Sequence, residues 1–102
     1  MKERAQGQEP EKRPLFELGQ PVATPGALDA LAQAEESPAS YLMRHVTGDW
    51  GDLPEEDIQE NELSLQQGYR LFSAYHLSTG KKIWVITEWD RSVTTLLLPE
   101  EY

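Results

Sequence analysis

His45 is the residue of this 102-residue chain best suited to chemistry. It lies in the string Arg44-His45-Val46-Thr47-Gly48-Asp49-Trp50-Gly51, where a helix gives way to a glycine-bent loop. Imidazole is the side chain whose ordinary pKa lies near neutrality, so it is the natural proton carrier for acid–base catalysis. The same position also suits a plainer role, a helix-terminal residue that complements the dipole. Trp50, in the glycine-flanked loop, reads as a packing anchor rather than a platform for substrate.

A second set of polar residues lies where the sequence turns to strands. Arg70, Ser73 and Tyr75 belong to the first of these segments, and Arg91, Ser92, Thr94 and Thr95 to the third. Strand alternation places Ser73 and Tyr75 on one face and Arg70 on the other, and it separates Thr94 from Thr95 without deciding which points inward. Arginine and hydroxyl groups converging on one histidine can bind a phosphodiester and stabilise the charge that builds during its cleavage. The competing account is ordinary: threonine suits strands, and Arg91 can pair with Glu88 or Asp90.

Other chemistries find little support. The chain has no cysteine, so thiolate zinc sites and disulfides are excluded. His45 and His76 lack a His-x-x-x-His spacing, and Asp52, Glu55, Glu56 and Asp57 lack the spacing and central glycine of a calcium loop. Neither a metal nor a cofactor is expected. There is no phosphate-binding glycine loop and no nucleophile elbow.

The elements that must position these residues are legible from caps and periodicity. Residues 1–13 are polar, with no apolar side chain beyond Met1 and Ala5, and are expected to be a disordered tail. Residues 14–102 are expected to form one domain. Leu15 to Leu18 and Val22-Ala23 read as short extended pieces around a turn at Gly19-Gln20. Thr24-Pro25 and Ser37-Pro38 each combine an N-cap with proline at the first helical position, which predicts helices over 25–34 and from 38 to about 45. Asp52-Leu53-Pro54 opens a third helix, with acidic residues in its first turn and a stop at Gly68. That helix is polar apart from Ile58, Leu63 and Leu65, so a surface position is expected. Residues 69–77, 82–88 and 91–98 then read as three strands joined by short turns. The expected fold is α+β, with two or three short helices followed by, and packed on, a three-stranded antiparallel meander. Ile83 and Val85, or else Trp84 and Ile86, are expected to face the helices, opposite Leu28 and Leu42.

Charge narrows the partners. Nine basic side chains face eighteen acidic ones, a net charge of −9. Residues 41–102 hold eleven of the acids and five of the bases, so the excess belongs to the folded part. Such a field repels nucleic acid. It suits solubility, or a host protein that meets the acidic face, for example one that normally binds DNA. No apolar run approaches the ~18 residues of a membrane span, and no secretory leader is recognisable, so a cytoplasmic location is expected.

The strings LGQPVATPGAL, RHVTGDWGDL, GYRLFSAY and KIWVITEWDRSVTTLLLPEEY, spread over residues 18–102, resemble a widespread group of short bacterial proteins encoded on plasmids and other mobile elements. Members often carry a restriction-modification label, although the chain holds no methyltransferase motif. The resemblance implies an accessory protein of a mobile element. More loosely, the order of residues is similar to small metal-independent ribonuclease domains of the barnase, EndoU and colicin type. That likeness implies His45 as general acid or base, Arg70 and Arg91 holding phosphate, Ser73 with Thr94 or Thr95 orienting it, and RNA as substrate.

Overall fold

A computed structural model describes residues 13–102. The expected disordered tail, residues 1–13, lies outside the described residues except for Arg13.

The chain runs β1 (Gln20–Ala23), α1 (Pro25–Ala34), α2 (Pro38–Val46), α3 (Glu55–Gln67), β2 (Leu71–His76), β3 (Lys82–Thr87), β4 (Val93–Leu97) and a 3₁₀ turn over Pro99–Glu101. Both proline-led helices begin as their sequences dictate. Thr24 Oγ1 accepts from the Ala27 amide and Ser37 Oγ from the Ala39 amide. Helix α3 has no side-chain cap at Pro54, but Glu55, Glu56 and Asp57 occupy its positive end, and Gly68 closes it in the left-handed conformation with its N–H on the Ser64 carbonyl.

The fold is α+β, but the sheet corrects the three-stranded antiparallel expectation. It has four strands in the order β1-β4-β3-β2, and β1 runs parallel to β4. The extended piece at 20–23 is too short to announce itself as a strand, and its partner lies at the other end of the chain. Strands β2, β3 and β4 form the expected meander.

The register sorts the side chains into two faces. Leu71, Ser73 and Tyr75 of β2, Ile83, Val85 and Thr87 of β3, and Thr94 and Leu96 of β4 share the inner face. There Ala27, Ala30 and Leu31 of α1 and Tyr41 of α2 join Tyr75, Ile83, Val85 and Leu96 in one core, with Leu42 packed beside it. Leu28, expected in this core, is 49% exposed. Trp84 faces outward, edge-on to Phe72 and close to Tyr102.

Both sheet edges are blunted. Gln20 and Thr24 donate to carbonyls of the β4 side, so alternation turns Pro21, which has no N–H, toward the free edge. At the other edge, the Asn61 side chain of α3 imitates a strand. Its Nδ2 donates to the Phe72 carbonyl at 2.7 Å and its Oδ1 accepts from the Phe72 amide at 3.1 Å. One residue pair further along, Trp50 and Asp52 bond the Ala74 amide and carbonyl. Asn61 is buried while Leu63 of the same helix is exposed, so α3 docks by hydrogen bonding rather than by an apolar stripe. Asn61→Ala orphans both Phe72 groups and is expected to cost about 1–3 kcal/mol in urea unfolding. An unchanged midpoint would contradict this role.

Candidate functional site

The inner face changes character toward one end. Beyond the apolar row of Val85 and Leu96, the next row holds Thr87 and Thr94, side by side across β3 and β4. Helix α2 lays His45 over them, and β2 adds Ser73. His45, Ser73, Thr87 and Thr94 are all fully buried.

They form one chain of hydrogen bonds. His45 Nδ1 lies 2.6 Å from Ser73 Oγ and Nε2 lies 3.0 Å from Thr87 Oγ1. Thr87 Oγ1 lies 2.6 Å from Thr94 Oγ1, which lies 2.7 Å from the Leu18 carbonyl. The last acceptor fixes every proton before it. A carbonyl can only accept, so Thr94 spends its hydrogen on Leu18. Thr87 must then donate to Thr94, and His45 must donate to Thr87 from Nε2. Nδ1 of the neutral ring is left as acceptor, and Ser73 donates to it. The tautomer of His45 is therefore the Nε2–H form.

Burial holds this imidazole neutral. Desolvation alone pushes its pKa down to about 3. The surrounding walls are aromatic: Phe16 meets the ring edge-on at 5.2 Å, Trp50 at 5.8 Å, and the two stack on each other at 6.3 Å.

The residues singled out from sequence thus divide. His45, Ser73 and Thr94 come together. Thr95 takes the outer face, opposite Ile86. Arg70 also lies on the outer side, where its guanidinium sits 5.4 Å from the Tyr102 ring centroid and donates to the Tyr102 hydroxyl. Arg91 adopts a positive φ of 60° in the β3–β4 turn. Its Nη1 donates to the Tyr69, Glu88 and Trp89 carbonyls and its Nη2 to the Ser64 carbonyl, stapling the end of α3 to the hairpin. It also lies over the Phe16 ring, 5.9 Å from its centroid, the same ring that His45 meets edge-on.

Sequence reasoning missed Thr87, Phe16 and the Leu18 carbonyl. Thr87 was within reach: the alternation that turns Ile83 and Val85 inward turns Thr87 inward too, and a buried hydroxyl demands a partner. Phe16 and Leu18 carry no such signal, because their place depends on the parallel docking of the segment that leads into β1.

A hydroxyl donating to a neutral imidazole is half of a nucleophile–base pair. The other half is room for substrate at Ser73 Oγ, and that atom is enclosed by the sheet and α2. Among the described residues, no three histidine or acidic side chains converge in a metal-binding group, and no helix is long and apolar enough to cross a membrane. Comparison with protein-family models, curated proteins and solved structures returned no match to this chain.

Proposed function

We propose that this protein is a non-enzymatic binding module, an acidic accessory protein of a bacterial mobile element that engages a basic host protein. The observation that carries the reading is the enclosure of His45. A general acid or base must exchange protons with substrate, whereas this ring spends both nitrogens on Ser73 and Thr87. Meanwhile α3 presents five acidic side chains, Glu55, Glu56, Asp57, Glu60 and Glu62, and no basic one. None of them is paired with a described cation. Glu56 and Glu60 repel each other at i,i+4 spacing, a cost that a basic partner would relieve. The mobile-element context rests on the sequence resemblance.

The ribonuclease reading supplies the test. Mixed RNA incubated with the full chain in the absence of divalent metal is expected to remain intact. Cleavage that disappears in His45→Gln, with the variant still folded by circular dichroism, would overturn the binding-module reading. A host protein held through α3 is expected to elute as salt rises, because the screening length falls from ~10 Å at 0.1 M to ~3 Å at 1 M.

A further inference from the structure

A groove lies between α3 and the outer side of β2. Unlike the larger one of about 570 Å³ between α1 and the β2–β3 turn, whose lining includes Asp29 and Lys81 but no aromatic ring, it sets carboxylates against aromatic rings. Asp57, Glu60, Asn61 and Ser64 line it from the helix, and Tyr69, Arg70 and Phe72 from the strand and its approach. Its volume is about 280 Å³. That lies just below the ~300–1,000 Å³ typical of drug-sized ligands and suits a single long side chain.

We propose that this groove is a recognition pocket for an arginine side chain of a basic partner protein. The proposal rests on the binding-module reading and gives it an anchor point. Two carboxylates, Asp57 and Glu60, stand on one wall with no ion-pair partner among the described residues. Two aromatic rings, Tyr69 and Phe72, stand on the other, and Tyr69 is 53% exposed. Carboxylate on one side and ring on the other is the environment a guanidinium prefers. It can stack flat on the ring and bond the carboxylate with its planar fork, where a lysine ammonium offers only a point charge.

The pocket is also held in shape. Asn61 at its base has both amide groups bonded to the Phe72 backbone, so it does not compete for the guest. Arg70, the one cation in the wall, is engaged with Tyr102 rather than with Asp57 or Glu60. A second copy of this chain is a poor occupant, because each copy carries the same net charge of −9.

Two peptides of equal charge test this. Acetylated octa-arginine and octa-lysine amides are titrated into the full chain at low salt and followed by backbone amide shifts. General attraction to an acidic helix treats the two alike. The pocket predicts that octa-arginine binds roughly three- to tenfold more tightly, with its largest shifts between Asp57 and Phe72. Tyr69→Ala, which removes a largely exposed ring, is expected to abolish the arginine preference, and Glu60→Gln to weaken both peptides. Equal binding of the two peptides by the wild type, or a preference that survives Tyr69→Ala, would overturn the pocket. In that case, binding that still falls when Glu55, Glu56 and Glu62 are neutralised leaves the acidic-face reading standing. Failure of both peptides to bind would overturn the pocket and that reading together.

Discussion

Replacing His45 with alanine is expected to destabilise the protein by about 3–5 kcal/mol, a large share of what a domain of this size possesses. The change leaves a cavity beneath α2, orphans the Ser73 hydroxyl and takes one of two hydrogen bonds from Thr87, which still donates to Thr94. Ser73 loses its acceptor and Thr87 loses its donor. The unsatisfied Ser73 hydroxyl costs about 1–3 kcal/mol, and the cavity and the lost bond to Thr87 add to that. His45→Gln keeps a donor near the Nε2 position and is expected to cost less. The same residue also sets a pH dependence. Unfolded, its imidazole titrates near 6.5; folded, burial holds its pKa at about 3. Above pH 6.5 both states are neutral and the full stability is present. As pH falls through 6.5 toward 3, the unfolded chain takes up the proton and the folded chain does not. Stability is then lost at a limiting slope of about 1.4 kcal/mol per pH unit. Urea unfolding between pH 7.5 and 5 measures this slope. Subtracting the His45→Gln data removes the other titrating groups, including Glu36, Asp90 and Glu101, whose pKa values lie below the ordinary carboxylate value because hydroxyl and amide groups bond them. Parallel curves for the two proteins would show that His45 titrates alike folded and unfolded.

The second large effect is expected at Gly51. Its φ is +76°, and an added Cβ would lie 2.0 Å from the Ala74 carbonyl oxygen and 2.6 Å from the Tyr75 ring. Gly51→Ala therefore carries left-handed strain of about 1–2 kcal/mol. It must also push the 50–52 segment off β2. That movement breaks the Ala74 bonds to Trp50 and Asp52 and draws Trp50 away from His45. A loss of about 3 kcal/mol or more is expected. Gly68→Ala is the control. Gly68 has a φ of +79° with nothing within 4 Å of its added Cβ, so only the backbone strain applies. Thermal melts of the two variants separate the terms. Equal losses would mean that the 50–52 segment yields freely and does not brace the edge.

Most of the secondary structure was legible because local chemistry decided it. Thr24-Pro25, Ser37-Pro38 and Gly68 fix helix ends through caps and left-handed geometry, and they do so whatever the rest of the chain does. The meander was legible because β-branched and aromatic runs alternate with short turns. The parallel pairing of β1 was not, since it joins residues 20–23 to residues 93–96 and leaves no local trace. Helix α3, polar apart from Ile58, Leu63 and Leu65, reads as a surface helix, and its buried contact is made by Asn61 and Ser64. Polar residues in a helix normally mark the solvent side, and here one of them substitutes for a strand. At the candidate site, alternation separated Ser73 from Arg70 correctly, and the structure resolves the open choice between Thr94 and Thr95 in favour of Thr94. That a histidine beside a glycine loop would be sealed rather than open depended on Phe16 and Trp50, which reach it from segments on either side of α2.

The ¹⁵N and ¹³C shifts of the His45 ring report directly whether this imidazole is sealed and neutral. Two-bond correlation spectra recorded from pH 8 to pH 5 are expected to show the Nε2–H tautomer with shifts that do not move with pH. A ring that titrates near pH 6.5, or one that carries its proton on Nδ1, would contradict the closed chain from Ser73 to Leu18 and return His45 to the candidates for acid–base catalysis.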